Sequence, residues 1–276
     1  MRTFSLGGVH PNDNKISKDA KIEDFPIPQI AYISMSQHLG APAEPIVAAG
    51  DKVKVGQLIA NANGFISAPV HSSVSGTVKG IEMIKDLAGN MTKAVVINVE
   101  GDEWVDTIDR TPDIKREIEL DAKAIIDRIK ECGVVGLGGA TFPTCVKLSP
   151  PPGKKAEFLI INGAECEPYL TSDYRVLVEM PEQVLIGAAI MMKALGVSKG
   201  FIGIEENKPE AIRIMQEHAV KYNGIEIVPL KKKYPQGGEK QLIDAVVGRR
   251  VPSMGLPIDT GAVVQNVGTA FAVYEA

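Results

Sequence analysis

The chain has 276 residues, 45% of them apolar and 23% charged, with a formal net charge of −4. That length allows one large or two modest domains with a core that needs no disulfide or metal staple, and the composition excludes a disordered, collagen-like or coiled-coil chain. The mildly acidic balance offers no basic field for nucleic acid, and the three cysteines, none in a C-x-x-C pair, form neither a disulfide framework nor a four-thiolate metal site.

The chain opens with an irregular arm punctuated by Gly7-Gly8-Val9-His10-Pro11 and Pro26-Ile27-Pro28. Short β-type runs follow at 29–34, 45–48, 57–60, 65–68, 76–81 and 94–99, separated by turn residues. Such runs predict a small all-β sandwich or barrel within residues 1–110. Gly50-Asp51-Lys52-Val53-Lys54-Val55-Gly56-Gln57, with Ser67-Ala68-Pro69 and Ser75-Gly76-Thr77-Val78, resembles the barrel-sandwich of biotinyl and lipoyl carriers. Carriers present a modifiable lysine between two such segments. Here no lysine lies between Lys54 and Lys79, and the hairpin tip is Asn61-Ala62-Asn63-Gly64. The fold is therefore expected without the swinging-arm chemistry.

Residues 111–276 read as α/β. Ile125, Ile126 and Ile129 give 121–132 a helical spacing that ends at Gly133. Strands are predicted at 158–161, 200–204 and 225–230, and helices at 181–195, 207–222 and 239–247. Asn207 and Glu210 have the spacing of a capping box. This alternation predicts a Rossmann-like, mostly parallel sheet. The longest apolar stretch, Val184 to Met192, is far short of the roughly 20 residues that span a bilayer, so no direct membrane insertion is expected.

Ligands of open parallel sheets bind beyond the carboxyl ends of the strands. Three polar loops follow the predicted strands there: Asn162-Gly163-Ala164-Glu165-Cys166-Glu167-Pro168, Glu205-Glu206-Asn207, and Tyr234-Pro235-Gln236-Gly237-Gly238-Glu239. Upstream, Gly136-Leu137-Gly138-Gly139-Ala140 is neither a dinucleotide fingerprint nor a Walker loop. Closely spaced glycines let backbone amides approach an anion, and Lys147 lies close enough in sequence to add charge. Lys231-Lys232-Lys233 reads as a solvated run, Trp104 as packing, and no histidine stands near the acidic loop to suggest a metal.

Four stretches together resemble the C-subunit family of Rnf electron-transport complexes, related to the NADH-oxidising flavoprotein subunit of respiratory complex I. They are 136–144 (GLGGATFPT), 162–169 (NGAECEPY), 234–241 (YPQGGEKQ) and 266–269 (NVGT); Gly7 to Pro11 and Gln37 to Pro42 resemble the Rnf branch specifically. The resemblance implies bound FMN and a site for NADH. It places Gly136, Gly138, Gly139 and Lys147 on the flavin phosphate, with Asn266 and Thr269 on that side. It sets Asn162 and Glu165 along the flavin, and closes the pocket with Tyr234, Gly237 and Gly238. Phe142, Glu167 and Glu239 then face NADH. No protein acid or base is required for hydride transfer, so no catalytic group is assigned.

The same resemblance implies other Rnf subunits as partners, a peripheral position on the cytoplasmic face of the bacterial inner membrane, and 4Fe-4S clusters only in a segment beyond this chain. Leu137 and Ala164 stand where the complex I pattern has arginine and aspartate, and Lys240 where it has a second glutamate. Two other readings remain: a non-catalytic scaffold that kept the fold, like the A subunit of the sodium-pumping quinone reductase, and a soluble cobalamin-reductase-like flavoprotein.

Overall fold

A computed structural model describes residues 1–86 and 88–276, in which a β-rich region precedes an α/β region. The first contains β1 (Ile30–Ser34), β2 (Glu44–Pro45), β3 (Lys52–Val53), β4 (Leu58–Asn61), β5 (Val70–His71), β6 (Gly76–Lys85) and β7 (Met91–Val99). They form two antiparallel sheets, β1-β7-β6-β3 and β2-β4-β5. Between the sheets Ile33, Met35, Val53, Ile59, Val70, Val78, Val95 and Ile97 make one apolar core. The run at 65–68 stays irregular, and the strand lies just after it, at Val70–His71. The runs at 76–81 and 94–99 extend toward each other to Lys85 and Met91. That extension carries exposed Met83 and Met91, so burial does not impose on it the alternation by which strands are read.

The second region contains α1 (Ala122–Glu131), α2 (Thr144–Lys147), β8 (Phe158–Gly163), α3 (Ser172–Glu179), α4 (Pro181–Leu195), β9 (Gly200–Glu205) and α5 (Pro209–Ala219). It continues with β10 (Ile225–Leu230), α6 (Glu239–Val247), a 3-10 turn at Pro257–Thr260, β11 (Ala262–Asn266) and α7 (Val267–Glu275). The sheet is wholly parallel in the order β10-β9-β8-β11. Alternate side chains of each strand go to opposite faces. Leu159, Ile161, Ile202, Ile204, Ile227 and Val263 pack with α1, α3, α4, α5 and α7. Phe158, Ile160, Val228, Leu230, Ala262 and Val264 pack with α6 and with Phe4 of the arm. Gly187 lets α4 and α7 touch: a Cβ there would fall 1.9 Å from the carbonyl oxygen of Ala270.

Sequence order groups the arm with the β-rich region, yet residues 2–22 make their hydrogen bonds to the α/β region. Arg2 bridges Leu230 in parallel, Val9 pairs with Tyr234, and the Ile22 amide reaches Glu179. The lysine run is accordingly not free in solvent. Lys232 pairs with Asp13 at 3.7 Å, and Lys233 sits 4.0 Å from the centre of the Phe4 ring.

Candidate functional site

Strand order sets the location. β8, β9 and β10 progress to one side, whereas β11 returns to the other side of β8. The loops after β8 and β11 therefore part at a topological switch point, where open parallel sheets take their ligands. Asn162, next to last in β8, pairs directly with Asn266 at the end of β11. The Asn266 side chain caps α7 by accepting from the Thr269 amide at 3.2 Å.

The glycine segment lies over this point. The Gly136 amide donates to the Phe142 carbonyl at 2.9 Å, closing the loop on itself. The Leu137 amide donates to the hydroxyl oxygen of fully buried Thr269 at 2.9 Å, tying the loop to the start of α7. Gly138, Gly139 and Ala140 are exposed, and among the described residues their amides meet no protein acceptor. Backbone donors clustered near a helix N-terminus favour an anion. Nothing lies within 4 Å of where a Cβ of Gly139 would stand, whereas Gly138 rests on Asn266.

Beneath the loop lies a carboxyl pair. Asn266 donates through Nδ2 to Asp173 Oδ2 at 2.6 Å, and the Asp173 amide donates to Glu165 Oε1 at 2.8 Å. The other oxygen of Glu165 is buried without a partner. Burial pushes Asp173 up to about 7, and the neighbouring Glu165 charge adds to the rise. Burial raises Glu165 as well, opposed chiefly by the positive charge of Lys208. Lys208 is itself buried and donates to the Ala164 carbonyl at 2.7 Å.

On the opposite wall, Asn162 Nδ2 donates to the Gly237 carbonyl at 2.8 Å, and the Gly237 amide reaches Cys166 Sγ at 3.3 Å. A Cβ on Gly237 would crowd Cys166 and Ala164 at 3.3 and 3.4 Å, and one on Gly238 would stand 2.5 Å from the Gln241 side chain. Burial pushes the Cys166 thiol up to about 11, so it is neutral and a poor nucleophile. Lys147 donates to Glu239 at 2.8 Å and to the Val264 carbonyl at 2.7 Å. Glu167 and Tyr234 are exposed, and Phe142 is half-buried.

The structure thus gathers Gly138, Asn266 and Thr269 at the loop, and Asn162 with Gly237 at the wall. It assigns the Gly136 amide to the loop's own closure. It also pairs Lys147 with Glu239, two residues expected on different ligands. Sequence reasoning missed Asp173, Lys208 and Lys15. Lys208 directly follows the Glu205-Glu206-Asn207 loop, which was the available signal for it; Asp173 and Lys15 carry no local motif.

Comparisons with known proteins match both regions of the chain. Residues 3–102 match the RnfC barrel sandwich hybrid domain, and residues 129–275 match the Nuo51 FMN-binding domain. The chain is 49% identical over 272 residues to the C subunit of the proton-translocating ferredoxin:NAD(+) oxidoreductase complex of Clostridium ljungdahlii, covering 98% of this chain and 59% of the relative. It is 46% identical over 274 residues to the C subunit of the Na(+)-translocating ferredoxin:NAD(+) oxidoreductase complex of Acetobacterium woodii, covering 98% and 61%. It therefore spans about three fifths of the length of these relatives. A crystal structure of an NAD+-reducing NiFe hydrogenase in the H2-reduced state aligns with a TM-score of 0.48 and 27% identity, over 56% of this chain and 30% of the other. No helix among the described residues is long and apolar enough to cross a membrane. The chain belongs to the RnfC family, and its α/β region is a Nuo51-type FMN-binding domain.

Proposed function

We propose that this chain holds FMN and receives hydride from NADH within a membrane-associated ferredoxin:NAD electron-transfer complex that is coupled to ion movement. One observation carries the reading: the three unpartnered amides of Gly138, Gly139 and Ala140, set beside the start of α7 at the switch point of the sheet. Donors so placed fit a phosphate monoester. The buried, unpartnered oxygen of Glu165 fits a ring N–H or a ribose hydroxyl.

Bound there, FMN supplies hydride acceptance and single-electron transfer onward. The protein's own part is binding and electrostatics. Thr269 and Asn266 hold the glycine loop in shape, with Gly136 closing it. Asn162, Gly237 and Gly238 form a wall that would hold a flat ring, and Tyr234 stands at the rim. Lys147 would supply positive charge on the phosphate side only by giving up its pairing with Glu239. Phe142, Glu167 and Glu239 face the dinucleotide. Partners are other subunits of the complex, with docking on the cytoplasmic face of the inner membrane, and 4Fe-4S clusters lie outside this chain. The β-sandwich within residues 1–110 and the α/β residues 111–276, with the arm at 2–22 docked on the latter, act as the bracing and cofactor-binding units.

The test is reconstitution with FMN, removal of excess, and anaerobic addition of NADH. Retained flavin absorbance that bleaches with NADH is expected. Failure to retain flavin favours the scaffold reading, and retained flavin that does not bleach points to a different electron donor.

A further inference from the structure

The loop between β8 and α3 carries Glu165 and Glu167 and holds an uncomfortable shape. Glu165 has φ +47° and Tyr169 φ +71°, the left-handed region that residues with a Cβ avoid. Little within the loop accounts for this. Its main-chain carbonyls instead converge on a cation from the far end of the sequence: Lys15 Nζ donates to the carbonyl oxygens of Glu165 at 2.8 Å, Glu167 at 2.9 Å and Leu170 at 2.5 Å. An ammonium has three donors, and all three are used on one loop.

Neighbouring arm residues fix Lys15 in place. The Asp13 carbonyl accepts from the Tyr169 amide at 2.9 Å, and the Asp13 carboxylate accepts from Asn207 Nδ2 at 3.0 Å and pairs with Lys232. Ser17 and Thr171 hydroxyls share a hydrogen bond of 2.7 Å. The arm therefore touches the loops after β8, β9 and β10 in succession, and Lys15 is its deepest grip on the first of them.

We propose that Lys15 is a positioning residue of the combined flavin and dinucleotide site, holding Glu165 on the flavin side and Glu167 on the dinucleotide side through the main chain of their loop. The proposal rests on the reading of that loop as part of the FMN and NADH site. Without the ammonium, three carbonyls lose a charge-assisted donor and the two strained residues relax. The glutamates then lose their fixed aim, while the glycine loop, which Lys15 does not touch, stays formed.

The test uses the full chain with Lys15→Met, which keeps the apolar stem, Lys15→Arg, which keeps the charge, and Lys18→Met as a control on the same arm. Hydrogen–deuterium exchange across 164–171 reads the loop directly, and FMN retention and the NADH KM and kcat read the site. In Lys15→Met, exchange across 164–171 and the KM for NADH are each expected to rise about tenfold, because water takes up the three freed carbonyls and only the net charge-assisted advantage is lost, with kcat nearly unchanged. Lys15→Arg should recover part of both effects, and Lys18→Met should match the unaltered chain. Unchanged exchange across 164–171 in Lys15→Met overturns the proposal, as does a rise spread evenly over the whole α/β region. An unaltered chain that retains no FMN overturns the site reading instead, and the exchange data still decide whether Lys15 holds the loop.

Discussion

A methyl group at Gly138 has no room. Its Cβ would stand 2.5 Å from Nδ2 and 2.6 Å from Cγ of Asn266, the side chain that caps α7 and bonds Asp173. At Gly139 the same atom meets nothing within 4 Å. Gly138→Ala is therefore expected to displace Asn266 and abolish FMN retention, while Gly139→Ala keeps the folded stability of the parent chain. Equal stability and equal retention in both variants would show that Asn266 does not support the loop. Asp173 adds a pH signature. Its folded pKa of about 7 lies above the ordinary 3.8, because burial and then Glu165 disfavour its charge. Between those values the folded chain keeps a proton that the unfolded chain has released, so this group lowers stability as pH rises from about 4 to about 7 and adds no further slope above. Asp173→Asn can still accept from Asn266, and it removes the titration. Urea midpoints measured between pH 4 and pH 7 should fall less steeply in the variant. The slope is reduced rather than abolished, because Glu165 is raised as well.

Between elements, the decisive join is one hydroxyl. Thr269 sits in the first turn of α7, and its oxygen accepts the Leu137 amide at 2.9 Å. Thr269→Val keeps the shape and removes the acceptor, so the Leu137 amide, which is only part-buried, loses its partner at a cost of about 1 kcal/mol. FMN retention should fall in Thr269→Val and survive in Thr269→Ser; loss in both would assign the effect to packing. The motif 266–269 was legible in sequence, but the hydrogen bond was not, since Leu137 and Thr269 are far apart in the chain. The same divide runs through the elements. Helices α1, α4 and α6 were legible because their punctuation is local: Asp121 caps Ala124, Pro181 opens α4, and Gly196 and Gly248 close α4 and α6. The capping box at Asn207 and Glu210 does not form, and α5 begins at Pro209 instead. Asn207 is engaged by Asp13 and Glu210 by Tyr174, partners that no window around the helix contains. Short α3 and β11 went unread for a related reason. β11 is a strand because β8, about a hundred residues earlier in the sequence, accepts it as a neighbour.

At the scale of the whole molecule, the β-rich and α/β regions meet at both ends of the glycine segment. Beyond it, the Leu39 amide donates to the Thr141 carbonyl at 3.2 Å, and buried His38 anchors that stretch by accepting from the Ala68 amide at 3.0 Å. Before it, Gly133 ends α1 against the Pro69 carbonyl, where a Cβ would stand 2.4 Å from the oxygen. A β-sandwich without a carrier lysine thus braces the loop proposed to hold the cofactor. Gly133 and Gly196 allow this to be tested, because both follow a helix with nearly the same φ, +66° and +65°. Alanine at either site incurs the same left-handed strain, roughly 1 kcal/mol. Only at Gly133 must the methyl also push a backbone carbonyl of the other region aside, since nothing lies within 4 Å of a Cβ at Gly196. Gly196→Ala should lower the melting temperature slightly and leave FMN retention intact. Gly133→Ala should lower it further, raise amide exchange across 136–142, and release FMN, because the loop loses its brace on one side. If the two variants behave alike, the contact at Pro69 is a neighbour of the loop and not its support.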